Sequence, residues 1–249
     1  MLSGVQVESF KKDGYLLLEK FFSDKDVEEM LEGTIEAEQR PEKIGCVWKY
    51  FSMQAHENKS GEHYLDRIEN FADKIPSWSK HIGDNSKIAE LVSQLFGQPA
   101  KLWKEKINFK KPGSEGFLPH QDAQAGWLES GQTFHISAAV SIDDTTVENG
   151  CIEIVKGKHL NGLIGPVRAN MSDEVVQSLT WEDVPTKKTD LLIFGSFVPH
   201  RSKANSTSIQ RRVMLSTYAM ESQFHFETRD KYYENKLKFA PPALYKDES

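Results

Sequence analysis

Residues 117–122 read Phe-Leu-Pro-His-Gln-Asp, and the rest of the chain can be interpreted outward from this stretch. Successive side chains of an extended segment point to opposite faces, so His120 and Asp122 share one face and Gln121 takes the other. One nitrogen and one oxygen donor therefore converge. A His-X-Asp tripeptide arises by chance in many proteins, so it predicts a metal site only if a third ligand arrives from elsewhere.

The best third ligand is His200 in the segment 198–202, Val-Pro-His-Arg-Ser. This segment comes after the apolar run 191–194. Two histidines and one carboxylate on one face suit non-haem Fe(II) and leave coordination positions open. Two other histidines compete for this role. His159 stands in a turn-like segment after a strand, and His135 alternates with apolar neighbours, which favours a pocket wall or a core position.

A pair of arginines opens the strand-like segment that follows His200. The alternation of Arg211 and Arg212 with apolar residues means that only one of them faces inward. A buried guanidinium needs a partner, and its planar fork suits the carboxylate of an organic acid. The residues alone do not choose between the two arginines.

Composition limits the classes of function. The chain has 249 residues, a net charge of -6, 38% hydrophobic and 27% charged residues, as expected of an ordinary globular protein. The acidic balance argues against nucleic acid as a partner. No apolar stretch approaches the roughly 20 residues that span a bilayer, and the N-terminus lacks the apolar core of a signal peptide. We therefore expect a cytoplasmic protein with neither nucleic acid nor a membrane as its partner.

Helical patterns dominate the first part of the chain, to about residue 98. Gly14 ends a short amphipathic helix before a strand at 15–18, Ser23 caps a second helix to about Gln39, and 84–96 predicts a third. Strand patterns and turns follow. They predict a double-sheet β architecture with helices outside, in one domain over 1–249. The strands are expected at 102–109, 133–142, 152–155, 191–194 and 212–218, with a helix near 232–236.

Three ordered blocks carry a resemblance to a known family. Residues 117–122, 148–159 and 199–211 resemble the phytanoyl-CoA dioxygenase family. The resemblance implies a double-stranded β-helix (jelly-roll, cupin-like) core that binds Fe(II) and consumes O2. It also implies that 2-oxoglutarate is decarboxylated to succinate while a substrate C–H bond is hydroxylated.

The same resemblance implies roles for single residues. His120, Asp122 and His200 would be the iron ligands, and Ser202 with Arg211 would hold the distal carboxylate of 2-oxoglutarate. Further contacts are expected on the preceding strand and around the substrate. Asn108 and Lys104 are expected to contact the co-substrate. Trp127 and His135 are expected near the substrate. Ala139, a position at which relatives often carry tryptophan, is also expected there.

The substrate is expected to be small and polar, with 2-aminoethylphosphonate as a candidate, because the tail and the strand at 104–108 look like small bacterial members of the family. Asp122 favours hydroxylation over halogenation, since halogenating members lack that carboxylate. Two other classes stay open: a cupin-like hydrolase or isomerase with a redox-inactive metal, and a non-catalytic jelly-roll binding module.

Overall fold

The computed structural model describes residues 1–41, 45–53, 63–126, 134–225 and 227–242. Trp127 lies outside the described residues. Within them the chain forms two antiparallel sheets with helices packed on the larger one, so the predicted double-sheet architecture is confirmed. No helix in the described ranges is long and apolar enough to cross a membrane.

The strands follow one another along the chain and are divided between the two sheets. The larger sheet has the order β1-β9-β6-β11-β4-β3-β2, and the smaller sheet has the order β5-β10-β7-β8. Their bounds are β1 Tyr15–Leu18, β2 Trp48–Met53, β3 His63–Glu69, β4 Ala100–Lys110, β5 Phe117–His120, β6 His135–Ser141, β7 Ile152–Ile154, β8 Glu182–Val184, β9 Leu191–Gly195, β10 His200–Ser202 and β11 Arg211–Met220.

Local capping signals set the ends of the helices. Ser3 and Ser23 form capping boxes with the third residue of the helix that each precedes, and Gly14 ends the first helix in the left-handed region with φ of 86°. The helix bounds are α1 Gly4–Asp13, α2 Asp24–Gln39, α3 Pro76–Ile82, α4 Lys87–Phe96, α5 Asp173–Ser178 and α6 Arg229–Phe239.

Three helices differ from the sequence prediction, among them α5, which was not predicted. The helix expected from residue 84 begins at Lys87, because Ser86 caps it and the Asp84 carboxylate instead accepts a hydrogen bond from the backbone N–H of Leu102. Helix α3 was not predicted. It starts at Pro76, whose fixed φ suits the first helical position, and it buries Trp78 and Ile82 against the larger sheet.

Strand β6 explains how the layers form. All seven of its residues are buried, because helices cover one face of the larger sheet and the smaller sheet covers the other. Ile136, Ala138 and Val140 belong to the core shared with the helices. The alternate residues, including Ser137 and Ala139, face the space between the two sheets, where the candidate site lies.

Candidate active site

The pairing of two strands of the smaller sheet places the two histidines together. Strands β5 and β10 run antiparallel, and His120 lies directly opposite His200 in their register. The centroids of the two imidazole rings are 4.2 Å apart. Residues separated by 80 positions in the sequence thus become cross-strand neighbours, which a tripeptide motif alone cannot reveal.

Asp122 completes the cluster, although not on a continuous strand. Strand β5 stops at His120, and Asp122 begins a 3₁₀ turn that ends at Ala125. The intervening Gln121 keeps an extended backbone, so the side chains of His120 and Asp122 still point the same way. One ligand atom from each of His120, Asp122 and His200 lies within 4.8 Å of the others, and this cluster could hold a metal ion.

Both imidazoles are oriented by the backbone. The Nδ1 of His120 lies 2.7 Å from the carbonyl oxygen of Leu118, and the Nδ1 of His200 lies 3.0 Å from that of Val198. A carbonyl only accepts, so each Nδ1 carries a hydrogen, and each ring in its neutral form presents the lone pair of Nε2. Burial, with the neighbouring His200, lowers the pKa of His120 to about 4. A neutral ring is the form that binds metal.

The carboxylate of Asp122 is held from the larger sheet. Burial alone raises the pKa of this carboxyl, but His200 and Lys104 outweigh it and hold the pKa well below its usual range. The Ser137 hydroxyl donates to Asp122 Oδ2 at 2.8 Å and lies 3.1 Å from the hydroxyl of Thr217. Neither hydroxyl residue was singled out from the sequence, although the alternation in β6 places Ser137 on the inner face.

The structure distinguishes the two arginines. Arg211 is 2% exposed and lines a narrow cavity together with the three candidate ligands. Its Nη2 donates to the carbonyl oxygen of Gly150, and its buried Nε has no hydrogen-bond partner among the residues described. Arg212 instead pairs with Asp143 through Nε at 2.8 Å and Nη2 at 2.9 Å, and with Glu38.

The position of Gly150 beside Arg211 requires a glycine. Its φ is 76°, and a Cβ added there would lie 2.2 Å from the carbonyl oxygen of Lys203. A larger residue would therefore displace the turn whose carbonyl orients Arg211. The turn was predicted from the sequence, but its contact with the arginine was not.

Two more of the expected co-substrate residues line the Arg211 cavity. Asn108 on β4 and Ser202 on β10 both contribute to its wall. Ser202 accepts a hydrogen bond from Nζ of Lys110 at 2.7 Å. Lys110 was not predicted from the sequence, because Lys110 and Lys111 precede a Pro-Gly turn and resemble an exposed strand end.

A second cavity also borders the cluster of candidate ligands, with a volume of about 300 Å³, at the lower end for small-molecule sites. Lys104 lines this cavity and is not among the residues that line the Arg211 cavity, where a co-substrate contact was expected. Burial lowers its pKa to about 7. Lys106 lines both cavities. The second cavity is lined by Lys104, Lys106, His120, Gln121, Asp122, Gln124, Ala125, Arg168, Ala169 and Asn170.

The segment that carries Arg168 is tied to the turn after Asp122. Gln124 donates through Nε2 to the carbonyl oxygens of Pro166 and Ala169, both at 2.9 Å, and accepts the backbone N–H of Arg168 at its own carbonyl. Gly126 lies so close that an added Cβ would be 3.0 Å from the guanidinium of Arg168. Arg168 is therefore held in the same cavity wall as the candidate ligands His120 and Asp122.

The remaining sequence candidates lie around these cavities rather than in their walls. His135 stacks on Trp103 with ring centroids 4.5 Å apart. Ala139 packs in the apolar layer between the sheets with Leu192 and Val213. His159, the competing ligand, instead contacts the carbonyl oxygen of Lys11.

The sequence is similar to one family of known proteins and to individual members with named activities. The phytanoyl-CoA dioxygenase (PhyH) family model matches residues 10–213. A 2-aminoethylphosphonate dioxygenase from an uncultured bacterium is 34% identical over 95% of this chain and 88% of that protein. A methylphosphonate hydroxylase from Gimesia maris is 30% identical over 94% of this chain and 86% of that protein.

Solved structures show the same fold at lower identity. The structure of EctD from S. alaskensis with 2-oxoglutarate and 5-hydroxyectoine has a TM-score of 0.73 at 20% identity, covering 89% of this chain and 77% of that one. The carbocyclase SnoK from nogalamycin biosynthesis has a TM-score of 0.70 at 20% identity, covering 88% of this chain and 84% of that one. The jelly-roll core expected from the resemblance is confirmed by this likeness.

Proposed function

Because the chain belongs to the phytanoyl-CoA dioxygenase family, we propose that its reaction is the hydroxylation of a small phosphonate, with 2-aminoethylphosphonate as the first candidate. The chain is a non-haem iron dioxygenase that uses Fe(II), O2 and 2-oxoglutarate and acts on a small molecule. Family membership thereby decides against the redox-inactive-metal enzyme and the binding module that the sequence had left open.

The donor set fits Fe(II), and we assign the ligands to His120, Asp122 and His200. Two neutral imidazoles and one carboxylate leave three coordination positions for small molecules. When bound, the iron supplies the oxidative chemistry that couples decarboxylation of the keto acid to C–H hydroxylation. The protein contributes orientation: two backbone carbonyls fix the rings, and Ser137 fixes the carboxylate.

Arg211 and Ser202 are assigned to the distal carboxylate of 2-oxoglutarate, with Asn108 in the same wall. The unpartnered Nε of Arg211 is the observation that supports this assignment, because a buried guanidinium with an unused donor is costly without an anion. Holding the distal carboxylate there would direct the keto acid end toward the metal ligands, and the walls of the cavity would exclude water from it.

The second cavity supports a phosphonate as the substrate. Lys104, Lys106 and Arg168 line it, and the one carboxylate among its lining residues is the assigned metal ligand Asp122. Such a cavity favours a compact anion, and a phosphonate carries one to two negative charges at neutral pH. The named activities of two similar proteins, on 2-aminoethylphosphonate and methylphosphonate, point to the same chemical class.

The metal assignment is tested by anaerobic metal analysis. We expect Asp122→Ala to lose most of its bound Fe(II), since one of three protein ligands is removed. Asp173→Ala, which alters the exposed first turn of α5, is the control and should retain iron like the wild type. Equal iron content in the Asp122→Ala and wild-type proteins would place the metal elsewhere.

The substrate assignment is tested by incubating the Fe(II)-loaded enzyme with 2-oxoglutarate, O2 and 2-aminoethylphosphonate or methylphosphonate. One phosphonate, one O2 and one 2-oxoglutarate should give one hydroxylated phosphonate, one succinate and one CO2. Mass spectrometry should show the added oxygen atom. β-Alanine, which carries a carboxylate in place of the phosphonate, is the matched control and should react poorly. Succinate release at the substrate-free rate with both phosphonates would reject the assignment.

A further inference from the structure

Two cations stand opposite each other where β4 meets β11. Lys110 and Arg211 are direct partners in the antiparallel register of these strands, and they are 3% and 2% exposed. Within the described residues neither side chain forms an ion pair. Like charges placed directly opposite destabilise a sheet, and burial increases the cost. The arrangement is therefore that of a site built to receive an anion.

The pKa shifts of the two groups agree with this geometry. Burial, with the neighbouring Arg211, lowers the pKa of Lys110 to about 7, and burial lowers the pKa of Arg211 to about 10. Both charged forms are thus disfavoured when no anion is present. A carboxylate between or beside the two groups would stabilise both charges.

Lys110 contacts Ser202, which lines the same cavity as Arg211. Its Nζ donates to Ser202 Oγ at 2.7 Å and also to the carbonyl oxygen of Lys203. Ser202 Oγ accepts a second hydrogen bond from the backbone N–H of Phe117 at 3.3 Å. A hydroxyl has two lone pairs and one hydrogen, so both acceptor positions are occupied and only its O–H remains to donate.

We propose that Lys110 is a positioning residue for 2-oxoglutarate: it holds Ser202 so that the hydroxyl donates to the distal carboxylate, and it adds a second buried positive charge beside Arg211. The inference rests on the proposed co-substrate site. Lys110 acts through Ser202 and does not line the Arg211 cavity itself. Because both proposed effects of Lys110 act on the distal carboxylate, we expect this lysine to favour 2-oxoglutarate over keto acids that lack a distal carboxylate.

The test compares two keto acids in anaerobic calorimetry with Fe(II)-loaded protein. 2-Oxoglutarate carries the distal carboxylate, and 2-oxovalerate has a methyl group in its place. Lys110→Met should weaken 2-oxoglutarate binding about tenfold or more and leave 2-oxovalerate binding within about twofold of the wild type. Lys110→Arg keeps the charge and should restore most of the affinity. Lys111→Met, at the neighbouring position, should change neither.

Equal weakening of both keto acids in Lys110→Met would mean that the lysine only supports the fold, and no weakening of either would mean that it has no role. Both outcomes overturn the inference. Lys110→Gln provides a second neutral variant if the methionine variant does not fold. Arg211→Ala tests the co-substrate site separately from the role of Lys110. If this variant also changes the affinities for the two keto acids equally, the proposed co-substrate site is wrong. If Arg211→Ala discriminates and the neutral Lys110 variants do not, only the role of Lys110 is wrong.

Discussion

Arg211 and Arg212 are adjacent in the chain and have opposite surroundings. The guanidinium of Arg212 pairs with both carboxylate oxygens of Asp143, whereas that of Arg211 faces the cavity and donates to one backbone carbonyl. One arginine is thus committed to the fold, and the other has donors left for a ligand. This difference allows the two roles to be separated by mutation.

We expect Arg211→Ala to raise KM for 2-oxoglutarate by about tenfold to a hundredfold, because a charge-assisted hydrogen bond is lost. Fe(II) binding should stay nearly intact. Arg212→Ala should lower the thermal unfolding temperature, because Asp143 and Glu38 lose their partner, and it should leave the 2-oxoglutarate requirement unchanged. Initial-rate kinetics and anaerobic iron titration check both variants. The opposite pattern would assign the co-substrate to Arg212.

Ser137 is expected to tune the metal site from the larger sheet. Ser137→Ala removes the hydroxyl that orients Asp122, and loss of such a supporting hydrogen bond typically lowers metal affinity by about tenfold to a hundredfold. Ser141→Ala is the matched control, because Ser141 lies on the same face of β6 but contacts Thr186. Anaerobic Fe(II) titration measures the affinities. Equal affinities in the two variants would show that Asp122 does not need Ser137.

Lys104 separates substrate binding from co-substrate binding. Because it lines the second cavity, Lys104→Met should raise KM for the phosphonate by about tenfold or more and leave KM for 2-oxoglutarate unchanged. Lys101→Met serves as the control on the same strand, since Lys101 pairs with Asp84 and Glu221 instead. A rise in the 2-oxoglutarate KM alone would return Lys104 to the co-substrate role that the family resemblance implied.

Helix α6 is fastened to the larger sheet by a buried ion pair. Lys236 contacts the Glu69 carboxylate, which also lies 2.8 Å from Nε of Arg67. Lys236→Met should lower the free energy of unfolding at neutral pH by about 1–3 kcal/mol, because Glu69 stays buried with one partner fewer. Lys238→Met, on an exposed position of the same helix, should change it by less than about 0.5 kcal/mol.

The pH dependence of this difference has a definite sign. Burial alone raises the pKa of Glu69, but Lys236 and Arg67 outweigh it and hold the pKa below the ordinary value of 4.5. A lowered folded-state pKa contributes stability above the ordinary pKa that is lost as the pH falls. The gap between wild type and Lys236→Met should therefore narrow below about pH 4.5 in urea unfolding experiments. A gap that widens in acid would contradict the ion-pair account.

The fold class was predictable because it depends on local patterns that the sequence displays. Serine caps, terminal glycines and strands separated by turns predicted α2, β1 and the double-sheet architecture, which are confirmed. Helix α3 was missed, because seven residues beginning at Pro76 give too short a pattern for a periodic signal. The comparison with relatives strengthened the family assignment that the three sequence blocks had indicated.

The site was predictable only in part, because its residues meet through strand register rather than through sequence spacing. The candidate ligands were predicted from the sequence, and their roles remain predictions. Lys110, Ser137 and Thr217 were missed, since their importance comes from facing Arg211 or Asp122 across the sheets. Their inward orientation follows from alternation, but their partners do not.

We propose above all that one cluster holds the metal and that Arg211 holds the distal carboxylate of the co-substrate. A crystal structure obtained anaerobically with Fe(II) and 2-oxoglutarate tests both parts directly. We predict metal density between His120, Asp122 and His200, with the distal carboxylate within hydrogen-bonding distance of Arg211 and Ser202. Metal bound elsewhere, or a distal carboxylate lying against Lys104 and Arg168, would contradict the account.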